Sequence, residues 1–327
     1  MLLLLGIGTM MSCDSLIYDD LSNCPTGVYV NFFSKTPCAK DSSYLGEVSK
    51  LHLFAFENDS LLADYKVLDK PTLSKEYTTL MNLPQGAYKF YAWAGAENSL
   101  FELPDFRRGV TKKEDLMYTL KTENGKAADL TSKRLWGGEN NSVVVLKDPA
   151  ENGTDYQHTA VNLLEKTNRV NVELVIDESI YRSIATTKPQ DFRIELLAGN
   201  TQGNINATMP KGQAQVTYPS KVEYKEKSAI FSYNILDIQS GYNSILRLHN
   251  LQKNVDIKGA EDKDIDLIAA IHFLALQKNI DLSCMHDFNI KVLVKDKCAD
   301  CGTFMCQIIQ INDWEVHSYV WTPGADL

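Results

Sequence analysis

The 327-residue chain has no arginine before Arg107, no Gly-x-Ser-x-Gly elbow and no phosphate-cradling glycine loop. Its six histidines, at 52, 158, 249, 272, 286 and 317, include no pair at the i, i+4 spacing of a zinc-protease helix. These absences remove the local signatures of serine hydrolases, P-loop enzymes and His-Glu-x-x-His proteases. Lys and Arg number 33 against 42 Asp and Glu, a net charge of -9, and clustered basic residues are missing. Nucleic acid is therefore not an expected partner, because phosphate binding needs concentrated positive charge. Carboxylates are plentiful, but any acidic β-rich protein has pairs of them, so an enzyme is not expected and no cofactor is implied. After residue 11 no apolar run approaches the about 20 residues that a membrane-spanning helix needs.

What is present begins at the N-terminus. A run of Leu, Ile and Met from Leu2 to Met11 ends at Ser12-Cys13 and gives way at once to Asp14 and Ser15. It is too short to span a bilayer but fits the apolar region of a secretory signal. A small residue before Cys is what lipoprotein signal peptidases read, so Cys13 is the expected mature N-terminus and lipid attachment site, on the outer membrane. Basic residues are missing ahead of the run, as a start codon placed too far downstream would make them. An ordinary cleaved signal with an incidental Cys, or a buried N-terminal strand, is the plainer alternative. Acylation would be decisive, since each buried methylene contributes about 0.8 kcal/mol and two or three chains hold a protein on a membrane.

With Cys13 acylated, six of the seven cysteines remain, and an even number in an exported chain suggests disulfides. Cys24 and Cys38 bracket the first expected strand, which suggests a short-range bridge between them. Cys284, Cys298, Cys301 and Cys306 crowd toward the C-terminus, where three pairings are open. Cys298-Ala299-Asp300-Cys301, with Cys284, His286 and Cys306 nearby, also has the ingredients of a zinc site or a redox pair. The exported context favours structural disulfides, and no metal is assigned.

Most of the chain alternates with period two, as half-buried strands do. Val28, Val30 and Phe32 alternate, as do Leu51, Leu53 and Ala55 before the turn at Glu57-Asn58-Asp59-Ser60. After Leu83-Pro84-Gln85-Gly86, Tyr88, Phe90, Ala92 and Ala94 share one face, with Tyr91 and Trp93 on the other. From Arg107 to about Asn124 the alternation fades, and the segment reads as a connection with a short helix near Thr111. Strands follow at 142–146, 160–164, 170–176, 192–196, 228–235, 244–248 and 288–294. Residues 264–277 carry apolar positions at helix-like offsets that also fit a buried strand. The last strand, 307–321, changes phase at Asn312-Asp313, as a bulge would make it do. The acidic stretch from Glu261 to Asp266 reads as a solvated loop rather than a Ca²⁺ site. Trp93 and Trp314 read as core rather than, with Trp136 and Trp321, a sugar platform.

Several segments together resemble the FimB-type fimbrial anchor proteins of Bacteroidales: the lipobox-like end at Cys13, LHLFAFEND from Leu51 and LPQGAYKFYAWAG from Leu83. LWGG from Leu135, AVNLLEKTNRVNVELVID from Ala160, FRIELLAGNTQG from Phe192 and INDWEV from Ile311 continue the match in order. The resemblance implies a mainly β protein with two tandem transthyretin-like β-sandwiches. The corresponding division is a signal at 1–12, a lipidated tether at 13–23, an N-terminal sandwich at 24–180 and a C-terminal one at 181–327, the boundary falling in the polar stretch 177–190. It further implies a lipoprotein that attaches a fimbrium to the outer membrane, limits its length and meets the first stalk subunit by strand exchange. Stalk subunits of this class lose their first strand to cleavage after an Arg. Here no Arg precedes Arg107, so that cut is unavailable and only Lys35 and Lys40 remain for another protease. A fimbrial tip or surface adhesin that binds a host protein or glycan is the alternative.

Overall fold

The computed structural model describes residues 21–184, 186–205, 209–238, 243–259, 263–298 and 303–316. The main strands are β1 (Thr26–Phe33), β2 (Lys50–Glu57), β3 (Leu61–Asp69), β4 (Thr78–Asn82), β5 (Gly86–Ala94) and β6 (Met117–Leu120). Next come β7 (Trp136–Asn140), β8 (Val144–Leu146), β9 (Asp155–Glu165), β10 (Thr167–Ile176), β11 (Phe192–Ala198) and β12 (Ser228–Leu236). They are followed by β13 (Ser244–Asn250), β14 (Asp287–Cys298), β15 (Thr303–Ile311) and β16 (Trp314–Glu315). Three helices interrupt them, α1 (Pro149–Asn152), α2 (Glu178–Ser183) and α3 (Leu267–Lys278). The protein is mainly β.

An eight-stranded sheet runs β3-β2-β5-β7-β9-β1-β4, with β8 pairing β5 beyond the end of β7. β1 is parallel to β9, from Thr26 opposite Asp155 to Phe33 opposite Asn162, and antiparallel to β4. A six-stranded sheet runs from Ser220–Tyr224 through β12, β10, β14 and β15 to β16. β11 and β13 are central to a seven-stranded sheet that also recruits Thr122–Glu123 and Lys126–Ala127 from the first half of the chain. Sheet membership changes at Lys166, between β9 and β10, ahead of the expected 177–190 stretch, which instead holds α2.

The two faces of β5 divide as its alternation predicts. Tyr88, Phe90, Ala92 and Ala94 pack with Val28, Val30, Phe32, Leu51 and Leu53 in one core. Tyr91 and Trp93 face the other way and join a second core that reaches to Val172, Ile194 and Val292. The outer face of the first sheet is thus fused to the core of the C-terminal half.

Two expectations need correction. The stretch after Arg107 contains β6, and Leu116, Tyr118 and Leu120 are fully buried, so it is core rather than a connection. Its alternation covers too few residues to stand out. The phase change at Asn312-Asp313 is a turn and not a bulge, because Ile311 pairs with Trp314 across it and Asn312 takes φ 52°. Positive φ is what a tight two-residue hairpin demands. The ambiguous 264–277 segment is helical from Leu267 onward, after the short strand Ile265–Asp266. Asp266 caps it by accepting from the Ala269 N–H at 2.8 Å, and Asn279 ends it at φ 52°.

His52 lies in the fused layer, 3% exposed, with Nε2 3.0 Å from the Ala96 carbonyl. Since a carbonyl only accepts, Nε2 carries the proton. Burial lowers its pKa from 6.5 to about 4. The unfolded chain then takes up the proton first as pH falls, so the stabilisation is complete above 6.5 and is lost on the way down to 4. Urea unfolding is expected to show a loss of about 3 kcal/mol over that window, at roughly 1.4 kcal/mol per unit. In His52→Gln the slope between those two pH values should be shallower, and an unchanged slope would refute the assignment.

Candidate functional site

β1 is the element through which an N-terminal lipid would hold the protein. Val28 and Val30 are fully buried, and ladders run along both edges of the strand. Side chains fasten it further. The Thr26 hydroxyl donates to the Leu83 carbonyl at 2.5 Å, and the Asn31 amide donates to the Tyr77 carbonyl at 2.7 Å. Asn162 clamps the backbone of Lys35, accepting from its N–H at 2.8 Å and donating to its carbonyl at 3.0 Å. A protease needs extended, free backbone around the bond it cuts, so Lys35 is a poor substrate. Lys40 sits in an exposed turn and is the more accessible of the two. Cys13 lies outside the described residues.

Cys38, just past β1, is bonded to Cys284, which lies 246 residues away and immediately ahead of β14. The expected Cys24–Cys38 bridge is overturned: Cys24 is a free, half-buried thiol. An eight-residue strand spans about 26 Å at ~3.3 Å per residue, whereas bridged Cα atoms lie within about 7 Å. Cys306 is also free, with its thiol pushed up to about 12 by burial and directed at the Ile257 carbonyl at 3.4 Å. The bridge consumes Cys284, and with it the suggested zinc grouping around that residue. The Cys298 side chain and all of Cys301 fall outside the described residues.

Where the first sheet hands over to the six-stranded one, Arg169 joins three elements. Its guanidinium donates to both Asp287 oxygens, at 2.5 and 2.9 Å, and to Glu165 Oε1 at 2.6 Å. The hydrogen bonds from Arg169 hold the Asp287 carboxyl below its ordinary range. A fork of this geometry fixes orientation more than it adds stability, because Asp287 is largely exposed.

The remaining polar candidates are dispersed. His158 stacks on Tyr29, His249 pairs with Asp256 at 2.9 Å, and His286 approaches Asn168 at 3.3 Å. Asp264 is held by Lys258 at 2.7 Å and by Arg247 at 3.6 Å, so cations of the chain itself meet the acidic segment. Glu261, Asp262, His317 and Trp321 are outside the described residues. Trp93 is fully buried, whereas Trp136 and Trp314 are half-buried. Trp314 lines a groove of about 340 Å³ beside Phe273 and Leu274 of α3.

The arrangement is that of a fastened N-terminal strand on a fused β scaffold. The signature of the family described as "Fimbrillin-A associated anchor proteins Mfa1 and Mfa2" matches residues 21–320. The chain belongs to the Mfa2 family. It is 31% identical over 315 residues to the minor fimbrium anchoring subunit Mfa2 of Porphyromonas gingivalis, covering 95% of this chain and 92% of that protein. The solved structure of the fimbrial anchor protein Mfa2 from that organism superposes with a TM-score of 0.77 at 30% identity, over 90% of this chain and all of the other. A Bacteroides thetaiotaomicron structure described as a putative polysaccharide binding protein shares the fold, with a TM-score of 0.68 at 20% identity over 90% of this chain and 99% of its own. Membership in the Mfa2 family supports a fimbrial anchor role at the cell surface, in association with fimbrial subunits. The two Mfa2 matches are not described as enzymes.

Sequence reading missed the Asn162 clamp, the Arg169 fork and the Cys38–Cys284 pairing. Each joins positions more than a hundred residues apart. Local spacing carries no trace of such contacts. The exclusion of the Cys24–Cys38 bridge, by contrast, was available from strand length alone.

Proposed function

We propose that this protein is the membrane-held base of a fimbrium: an outer-membrane lipoprotein acylated on Cys13 that fixes the fibre to the cell, limits its length and meets the first stalk subunit by strand exchange. Its two halves are read as two β-sandwiches of the transthyretin type. The observation that carries the reading is how firmly the first strand is held. β1 is buried, paired on both edges and clamped at Lys35, and no arginine lies between Cys13 and Arg107 at which a stalk-type cut could shed it. A stalk subunit opens a groove by losing that strand, whereas an anchor must keep it joined to the lipid. Once a first subunit has bound, main-chain pairing along an exposed sheet edge supplies the affinity.

The test is the mature N-terminal peptide of the protein taken from its own membrane. Mass spectrometry is expected to find Cys13 acylated and joined to β1, and deletion of the protein should release long fimbriae into the medium. An unlipidated N-terminus beyond Lys40, or fimbriae that stay attached at normal length, would move the protein to the tip or adhesin class.

A further inference from the structure

The outer face of the first sheet is covered at one end and bare at the other. At the covered end, Trp93 donates through Nε1 to the Ile205 carbonyl at 3.1 Å and sits in the fused core. At the opposite end of the same strands, Val143 is 49% exposed, Val145 62% and Tyr156 36%. Val144 packs on the inner core, so its two neighbours point outward. The Tyr29 ring lies 5.7 Å from Tyr156 and 5.1 Å from His158, giving a continuous aromatic surface across β1 and β9.

The registers place this surface where β1 begins. Gly27 is opposite Tyr156, Tyr29 is opposite His158, and Gly86 at the start of β5 is opposite Leu146. α1, which follows β8, packs against the turn Leu21–Asn23, the first described residues of the chain. Only residues 14–20 separate that turn from Cys13. Even fully extended, that link reaches about 28 Å, at ~3.5 Å per residue.

We propose that the face formed by Tyr29, Val143, Val145 and Tyr156 rests in the headgroup layer of the bilayer that holds the acyl chains. This rests on the reading of Cys13 as lipidated. The link is short enough to keep this end of the molecule beside the membrane. Tyrosine suits that layer because its ring is apolar and its hydroxyl stays wet. The charged neighbours Lys147, Asp148, Glu151 and Asp155 are mostly acidic, so they do not draw the face to an anionic surface and the contact is apolar. Tethering raises the local concentration of the face at the membrane to the millimolar range, so a patch too small to bind from solution suffices.

The full chain, taken from its own membrane, is reconstituted in phosphatidylethanolamine and phosphatidylglycerol vesicles that contain a trace of lipid with a photoactivatable diazirine. After illumination, peptides containing Val145 and Tyr156 are expected to carry lipid adducts about ten-fold above Tyr224, a 46% exposed residue in the C-terminal half. High salt should not lower that ratio, and Val145→Asp with Tyr156→Asp should abolish it. Equal labelling at the two places overturns the proposal. The N-terminal peptide in the same digest then tells which idea failed. Acylated Cys13 with an unlabelled face removes the contact alone, whereas unmodified Cys13 and unbound protein remove the anchor reading with it.

Discussion

Replacing Cys38 and Cys284 together by serine is expected to lower the unfolding free energy by about 3–5 kcal/mol, measured in urea. The bridge closes a loop over a sequence separation of 246, so its removal restores a large amount of chain entropy to the unfolded state. For a protein whose whole stability is about 5–15 kcal/mol, that is a severe loss. A second readout separates the bridge's connecting role from its stabilising one. Limited trypsin digestion is expected to cut after Lys40 in its exposed turn. Because Cys38 lies on the N-terminal side of that cut and is bonded to Cys284, the nicked protein should migrate as one species on a denaturing gel without reductant. Reductant should split off the N-terminal piece, and the serine variant should split without it. Release of that piece from unreduced wild-type protein would show that the bridge is not formed. The N-terminal piece is thus retained by connectivity even where the backbone after it is broken.

Trp93→Ala should have a comparable effect by a different route. The ring is fully buried, with edge contacts to Phe54 at 5.1 Å and Tyr118 at 5.5 Å, and its N–H is spent on the Ile205 carbonyl. Truncation is expected to cost about 3–5 kcal/mol from lost burial and the cavity left behind. The orphaned carbonyl adds about 1–3 kcal/mol. Trp93→Phe keeps most of the packing and loses the hydrogen bond, so it should cost markedly less. Residues on both sides of this contact belong to different halves of the chain. Hydrogen exchange should therefore rise around Gln202–Asn204 as well as β5 in the alanine variant. A change confined to β5 would mean that the two halves are not joined through this ring.

The long, regularly alternating strands were legible from sequence, and so was the division of β5 into two faces. Short elements were not. Leu116, Tyr118 and Leu120 form a buried strand, yet three apolar positions beside charged residues look like linker. The place where one sheet gives way to the next carries no mark in the chain. β9 and β10 are separated only by Lys166, with no glycine or proline to mark the change. Composition marks a boundary where the chain turns through solvent, and here it passes straight from one sheet into another. LWGG, noticed only as a resemblance, has a steric reason: a Cβ on Gly138 would collide with the Asn162 carbonyl of the paired strand. That same Asn162 holds Lys35 with its side chain, so one residue sets both the approach of β7 and the fastening of β1.

A surface fibre is dragged by flow, and the anchor stands between that drag and the membrane. In the proposed arrangement, tension enters at the acyl chains, runs along β1 to Cys38 and crosses to Cys284 at the foot of β14. The line of force is covalent throughout and leaves out residues 39–283. Apart from β1, the first sheet carries none of the load, and its ladders need not hold for the covalent attachment to survive. Without the bridge, the same pull would pass through the whole intervening chain and lengthen it as the sheet unravelled. An oxidised anchor behaves as a stiff link, and a reduced one as an extensible spring.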